Sequence, residues 1–444
     1  MFRRLAASAL LASIAGFVHA QDLLQVYRDA VKYDAPYAAA KYALQAGMEK
    51  LPQGRALLYP TVGLAANLTE TRIDSTPRDG SNPLALSFTR DIRSYGYTLS
   101  FSQPIYRPQN SLQSDQADFQ VRQAEAVFAQ AGQDLILRVS QAFFDILAAQ
   151  DTLALVGAQK SAISEQLAQA RRNFEVGTAT ITDTHEAQAR YDLIVAQEIA
   201  AQNDLETKRR SLQQITGKEY TGLKALRPDV KLTPPNPAGM QDWSALAEKQ
   251  AYAVQIQQAV TEIAALEARR ANAGHYPTLD LVASYGYVSQ TGTALSGIGT
   301  NVNTGVVGLQ FAVPIYQGGA ISSREREAAA NHEKSRQDLE NARRSSVLGA
   351  RQSYLAVING IAQVRALEQA LVSSQSALDS NKLGYEVGVR INIDVLNAQQ
   401  QLFSTRRDLA VARYNTITNH LKLKAAAGSL REDDLQEVNR ALAQ

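Results

Sequence analysis

Two stretches in each half of the chain alternate apolar and small polar residues with a period of two. Val62, Leu64, Ala66 and Leu68 alternate with Thr61, Gly63, Ala65, Asn67 and Thr69. Tyr95, Tyr97, Leu99 and Phe101 then alternate with Ser94, Gly96, Thr98, Ser100 and Ser102. The pattern returns with Leu279, Leu281, Ala283, Tyr285 and Tyr287, and again with Val307, Leu309, Phe311 and Val313. This predicts four strands, each with one apolar, partly aromatic face and one face of small residues. Pro104 and Pro314 stand at outer strand ends, where no ladder donor is needed. A different pattern follows. From about Gln109 to Val176 there is no Pro, only Gly132 and Gly157, and much Ala, Gln, Leu, Arg and Glu, which predicts one very long helix. Positions 142, 146, 149, 153, 156, 160, 163, 167, 170 and 174, spaced alternately four and three, read Ala, Ile, Ala, Leu, Val, Lys, Ile, Leu, Ala, Phe. That is a coiled-coil seam interrupted by Lys160. Val357, Val364, Leu367, Leu371, Leu378 and Tyr385 keep its register in the second half. A helix of that length would be roughly 100 Å long, which predicts a rod or tube.

The recurrence extends to short marks. Tyr59-Pro60-Thr61 returns as Tyr276-Pro277-Thr278, Pro104-Ile105-Tyr106 as Pro314-Ile315-Tyr316, and Glu175-Val176-Gly177 as Glu386-Val387-Gly388, at offsets of 217, 210 and 211. The order points to a duplicated unit: residues 21–217, with a hairpin over about 60–104 and a tip turn at 177–183, and residues 244–427, with a hairpin over about 277–314 and a tip turn at 388–394. Between them, 218–243 holds Pro228, Pro234, Pro235 and Pro237 and reads as an irregular connection. Residues 428–444 form a tail. The strand-connecting loops Ile73 to Ile92 and Thr291 to Asn303 are rich in Gly, Ser, Thr, Asn and Pro.

The N-terminus has the parts of a secretory signal: Arg3-Arg4, an apolar stretch from Leu5 to Val18, and Val18-His19-Ala20 as the cleavage site. Gln21 in place of Cys closes the lipoprotein route at that site. Removing residues 1–20 balances the charge, since the whole chain has 45 Lys+Arg against 43 Asp+Glu and the segment carries Arg3 and Arg4. A neutral protein is not a basic nucleic-acid binder, and a chain with 0 Cys has no thiol or disulfide chemistry. No apolar run after Ala20 approaches the ~18 residues of a spanning helix, so membrane crossing requires a closed β-barrel. Four strands cannot close one, because a transmembrane barrel needs at least about eight. Two copies would give a barrel filled by side chains; three copies leave a lumen, which suits the small polar row Ser94, Thr98, Ser100 and Ser102. The alternatives are a constitutively open porin-like channel and a periplasmic coiled-coil scaffold in which the hairpins are covered by helices.

The five His residues, at 19, 185, 275, 332 and 420, form no recognisable metal spacing. Gly217-Lys218 has Leu212 where a phosphate-binding loop needs Gly. No enzyme activity and no cofactor are expected. At each tip a Gly precedes a stretch closing in Asp, Gly177 to Asp183 and Gly388 to Asp394. Gly stops the first helix in the left-handed region, and Thr182, Asp183 or Asp394 can cap the next. In a trimer, three copies of Asp394 make a carboxylate ring, a cation site and a constriction.

The doubled hairpins, the Tyr-Pro-Thr and Pro-Ile-Tyr marks, the two Glu-Val-Gly turns and the tail from Ala412-Arg413-Tyr414-Asn415 through Leu421-Lys422-Leu423-Lys424 to Gly428-Ser429-Leu430 resemble the TolC family of outer-membrane factors. The resemblance covers nearly the whole mature chain. It implies a mixed α and β membrane protein, a homotrimer sharing a twelve-stranded barrel that continues as a long α-helical coiled-coil barrel across the periplasm of a Gram-negative bacterium. It implies an exit duct of an efflux pump or type I secretion system, recruited by a periplasmic adaptor and an inner-membrane transporter or ATP-driven (ABC) exporter. It further implies a gate in which Tyr385 bonds Asp183, Arg390 bonds Thr182 of a neighbouring protomer, and Asp394 joins the pore ring. A second acid of the family is Asn397 here, leaving one carboxylate per protomer. The tips, with Gly177, Thr178, Gly388 and Val389, are then also the adaptor-docking surface.

Overall fold

The computed structural model describes residues 21–76, 78, 87–293 and 296–443. The expected signal segment 1–20 lies outside the described residues, as do parts of both strand-connecting loops. Two compact units emerge, each gathering segments from both halves of the sequence: one holds the chain up to Lys41, Phe128–Tyr252 and Arg343 onward, the other Tyr42–Val127 and Ala253–Ala342.

The second unit contains the sheet. Strands β1 (Thr61–Ser75), β2 (Phe88–Tyr106), β3 (Thr278–Gln290) and β4 (Thr300–Ala312) run antiparallel in the order β1-β2-β3-β4. The register sets Leu64 opposite Leu99 and Leu99 opposite Tyr285, and likewise Val62, Phe101, Ala283 and Val307 in one row. Because side chains alternate faces, the alternating apolar positions read from sequence share one side across all four strands, while Val282, Val288, Val302 and Val306 lie on the other. That side is open: Leu64 is 73% and Val307 79% exposed. The opposite side carries Gly63, Ser100, Ser284 and Val306 in a row. The first hairpin extends beyond the apolar alternation, since β1 runs on to Ser75 and β2 begins at Phe88. Charged cross-strand neighbours carry the ladder there, with Glu70 opposite Arg93 and their side chains 3.4 Å apart. At the other end, a register shift between Pro104 and Tyr106 accompanies a two-pronged ion pair in which Arg107 donates to Asp280 at 2.7 and 2.6 Å.

Helices surround the sheet in sequence: α1 (Leu23–Tyr33), α2 (Ala35–Met48) and α3 (Lys50–Ala56) precede it, α4 (Pro108–Glu175) and α5 (Ile181–Thr216) follow the first hairpin, and α6 (Met240–Gln250) and α7 (Tyr252–Asn272) lead to the second. After it come α8 (Ala320–Glu386), α9 (Asn392–Ala426) and α10 (Glu432–Arg440). Pro108 begins α4 at the position where a missing N–H is harmless. In α4 the seam residues Ile146, Ala149, Ile163, Leu167 and Ala170 are buried, whereas Phe174 is exposed. Lys160 reaches Glu198 of α5 at 2.6 Å, so the polar interruption of the seam is an ion pair between the two helices. An 18-residue stretch of α4 is apolar enough to cross a membrane by composition, contrary to the reading from uninterrupted apolar runs, but 44% of it is buried inside the protein.

The main core of the first unit joins both termini to the long helices. Leu23 and Val26 of α1, Leu135, Phe143 and Phe144 of α4, Leu421 of α9 and Leu435 of α10 are buried together. Phe144 stacks on Tyr414 with centroids 5.7 Å apart, and the Tyr414 hydroxyl donates to Asp151 at 2.6 Å. Burial, with Asp151 beside it, pushes the Tyr414 phenol far up. The connection 217–239 is irregular but tied down: Gln21 pairs with Leu223, Leu226 with Leu442, and Trp243 donates to the Pro237 carbonyl at 2.7 Å. The C-terminal segment, read as a tail from sequence, contains α10, whose Leu435 is fully buried.

Asp34 ends α1, and its carboxylate accepts from the backbone N–H of Tyr37 and from both terminal nitrogens of Arg138 at 2.9 and 2.8 Å. The guanidinium holds this buried carboxyl below the usual aspartate range. A depressed folded-state value stabilises the protein above the ordinary aspartate pKa of about 4, and the contribution is lost as pH falls through the lowered value. Arg138→Ala is expected to cost roughly 1–3 kcal/mol, a charge-assisted pair with one partner buried and the other partly exposed. Chemical denaturation at neutral pH and again near pH 3 checks this, the difference between the proteins narrowing on acidification.

Candidate gate at the helix-hairpin tips

Helices α4 and α8 end in the same way. Gly177 has φ 78° and Gly388 φ 79°, a left-handed conformation that side chains with a Cβ resist. The Thr178 N–H bonds the Asn173 carbonyl at 2.8 Å and the Gly177 N–H that of Phe174 at 3.0 Å. Val389 and Gly388 bond Gly384 and Tyr385 in the same pattern, at 2.9 and 3.1 Å. Both turns therefore satisfy the last helical carbonyls by the paired bonds of a Schellman motif.

The starts of the next helices differ. Thr180 caps α5, its hydroxyl accepting from the Asp183 N–H, while the Asp183 carboxylate accepts from the Thr180 N–H at 3.0 Å and hydroxyl at 2.8 Å. The capping residue is Thr180, not Thr182, and Asp183 is its reciprocal partner. Helix α9 begins after Ile391 with no side-chain cap, so Asp394 does not serve as one. Asp394 sits in the first turn, 3.7 Å from Arg390.

Several sequence-predicted residues meet around one cavity of about 430 Å³, lined by Asn173, Thr178, Asp183, Tyr385, Gly388 and Arg390 among others. Tyr385 and Asp183 share this space without bonding each other in the single chain. The Tyr385 hydroxyl accepts from the Asn173 amide at 3.2 Å, and Asp183 is engaged by Thr180. Thr182, Asp394, Asn397, Gly177 and Val389 lie outside the cavity lining. Asn397 accepts from Arg190 of α5 at 2.9 Å. Around the turns Val176, Val387, Val389 and Ile391 are all exposed, Val389 by 75%.

Sequence reasoning missed Asn173, Arg190 and Asn392. Asn392 is 2% exposed, lines the cavity, and has neither side-chain polar atom bonded among the described residues. A buried amide at the first position of a helix carries no periodic signal. Nothing in the sequence pattern singled out Arg190. Its acceptors lie on α9, more than two hundred residues along the chain.

With this geometry in view, comparison with known proteins is direct. The family model described as outer membrane efflux protein matches residues 18–218 and 243–429. The chain is 33% identical to outer membrane protein TolC of Vibrio cholerae serotype O1, over 98% of this chain and 97% of that protein. It is 31% identical to the proteases secretion protein PrtF of Dickeya chrysanthemi, over 97% and 93%. Its fold matches the crystal structure of the outer membrane protein VceC from Vibrio cholerae with TM-score 0.77 at 18% identity, covering 91% of this chain and 96% of that one. Four antiparallel strands, two very long helices each closed by a Schellman turn, and similarity along nearly the whole chain lead to one conclusion: the chain belongs to the outer membrane efflux protein family and is an outer-membrane channel for export.

Proposed function

We propose that three copies of this export channel close a twelve-stranded barrel in the outer membrane, and that their helices continue as an α-helical coiled-coil barrel into the periplasm. The observation that carries this is the sheet. Its order leaves β1 and β4 each paired on one side only, while its apolar face is open across all four strands. Hydrocarbon accepts such a face but not an unpaired strand edge, so neighbouring copies must complete the ladder. Twelve strands leave room for a lumen, and the small residues of the opposite face suit a wet wall.

The duct serves an efflux pump or a type I secretion system. Relatives named for efflux and for protease secretion support both uses. The chain binds no cofactor and performs no catalysis; the energy for export comes from an inner-membrane transporter or ABC exporter through a periplasmic adaptor. The exposed Val176, Val387 and Val389 around Gly177, Thr178 and Gly388 support the tips as the adaptor's docking surface.

The same tips form the gate. Tyr385 holds α8 to α4 through Asn173 within a chain, Asp183 lines the same cavity, and Arg390 reaches Thr182 of the neighbouring protomer. Asp394 supplies one carboxylate per protomer to the ring at the aperture. Asn397 contributes none, so the ring has half the charge of one built from two acids and holds multivalent cations correspondingly less tightly.

Light scattering coupled to size exclusion, on the detergent-extracted chain from purified outer membranes, is expected to return three copies per particle; a monomer would remove the shared barrel. In planar bilayers, Tyr385→Phe with Arg390→Ser is expected to raise single-channel conductance several-fold, because each lost tip bond is worth about 1 kcal/mol or more against closure. Unchanged conductance would sink the gate assignment, and high conductance in the unmodified protein would favour a constitutively open channel.

A further inference from the structure

The position that departs from the family's acid pattern is engaged in the fold. Arg190 of α5 donates through Nη1 to Gln400 Oε1 at 2.7 Å and through Nη2 to Asn397 Oδ1 at 2.9 Å. Both acceptors belong to α9, so one planar fork spans the two helical hairpins of a single chain. Beneath it, Leu396 of α9 is 3% exposed and packs with Ile163, Leu167 and Ala170 of α4 and with Ala187 and Ile194 of α5. The clasp therefore covers an apolar contact joining α9 to the α4–α5 pair. It lies seven residues from Asp183, about 10 Å along the helix from the tip.

The chemistry of the acceptors matters. An acid at 397 would titrate, bind cations and offer Arg190 an ion pair. An amide oxygen does not titrate and, being neutral, attracts cations far less than a carboxylate, yet it still accepts from a guanidinium, and a bond with one charged partner is stronger than a neutral pair. The substitution read from sequence as loss of a cation ligand thus keeps a hydrogen-bond acceptor for α5 while removing the titratable charge. Widening an aperture built from helical hairpins requires adjacent hairpins to part at their ends, because packed helices move as rigid bodies. Parting α9 from α5 breaks both Arg190 bonds at once.

We propose that Arg190 is a further closing residue of the gate, clasping α5 to α9 through the neutral amides of Asn397 and Gln400, so that closure at this level is insensitive to pH and to divalent cations. This rests on reading the tips as the gate. Asn397 acts here as a positioning residue for the guanidinium.

The test is single-channel recording in planar bilayers of the full-length mature protein, with each variant first checked for unchanged particle mass and thermal unfolding. Arg190→Gln, placed in the Tyr385→Phe, Arg390→Ser background, is expected to raise open probability by about tenfold over that background. The ratio is expected to stay constant between about pH 6 and 8 and on adding magnesium, since neither amide titrates. Asn397→Leu, which approaches the clasp from the other helix, should raise open probability likewise, whereas Asn397→Asp keeps an acceptor and should leave it at or below the unmodified level. If the background variants respond but Arg190→Gln adds nothing, the clasp is overturned and the gate stands. If Asn397→Asp opens the channel as much as Asn397→Leu, position 397 merely fills space and the clasp is again overturned. If neither the background variants nor Arg190→Gln changes conductance, the gate reading falls and the clasp with it.

Discussion

A backbone N–H or C=O in hydrocarbon has no water to turn to, and the arrangement of this protein follows from where its unpaired backbone groups lie. The sheet pairs β1 through β4 in sequence order and leaves an outer edge on each end strand. A soluble protein would blunt such edges or bury the apolar face beneath helices. Here Leu64, Leu68, Val307 and Phe311 remain exposed, on strands of 13 to 19 residues. Exposure of this kind is tolerable where lipid replaces water and identical neighbours supply the missing ladder bonds. The opposite face carries mostly small and polar residues, Gly63, Ser100 and Ser284 among them, which suit a wet wall in the proposed shared barrel.

The helical part answers a different problem, which is how to end very long helices without leaving their last carbonyls bare. Two glycines with positive φ and the paired turn bonds that follow them do this identically for α4 and α8. The symmetry stops one residue later. The α5 start has a reciprocal cap in Thr180 and Asp183, whereas the α9 start has Ile391 and a buried, unpartnered Asn392. Among the described residues the α9 start therefore has fewer local bonds than the α5 start.

Elsewhere in the first unit, several carboxylates are paired across distant segments. Asp29 is held by Lys218 and Tyr220 at 2.7 and 3.1 Å, Asp34 by Arg138, and Asp151 by Tyr414. The first ties α1 to the connecting segment, the second ties the end of α1 to α4, and the third ties α4 to α9; a buried charge would be costly to leave half paired. The Asp29 bonds hold the start of the irregular 217–239 segment against α1, where backbone propensity alone would not.

What the sequence determined by itself was whatever depends on local period. Alternation marked the strands and their two faces, a Pro-free run marked the first long helix within about a residue at each end, and glycines marked the ends of both long helices, because all three are set by steric preferences of neighbouring residues. It also located the helix-hairpin turns at Gly177 and Gly388. Only the tertiary structure decided which side chains meet there. The strand ladder ran past Leu68, with Glu70 and Arg93 meeting across it, and α10 emerged from an apparent tail because Leu435 reaches a core built largely from residues far away in the chain. Tyr385 took Asn173 as its donor, Asp183 turned back to its own cap, and Asn397 became an acceptor for Arg190. A hydrogen bond needs its two atoms within about 3 Å, and for residues on different hairpins that distance is fixed by how the helices pack, which no period in a single sequence encodes.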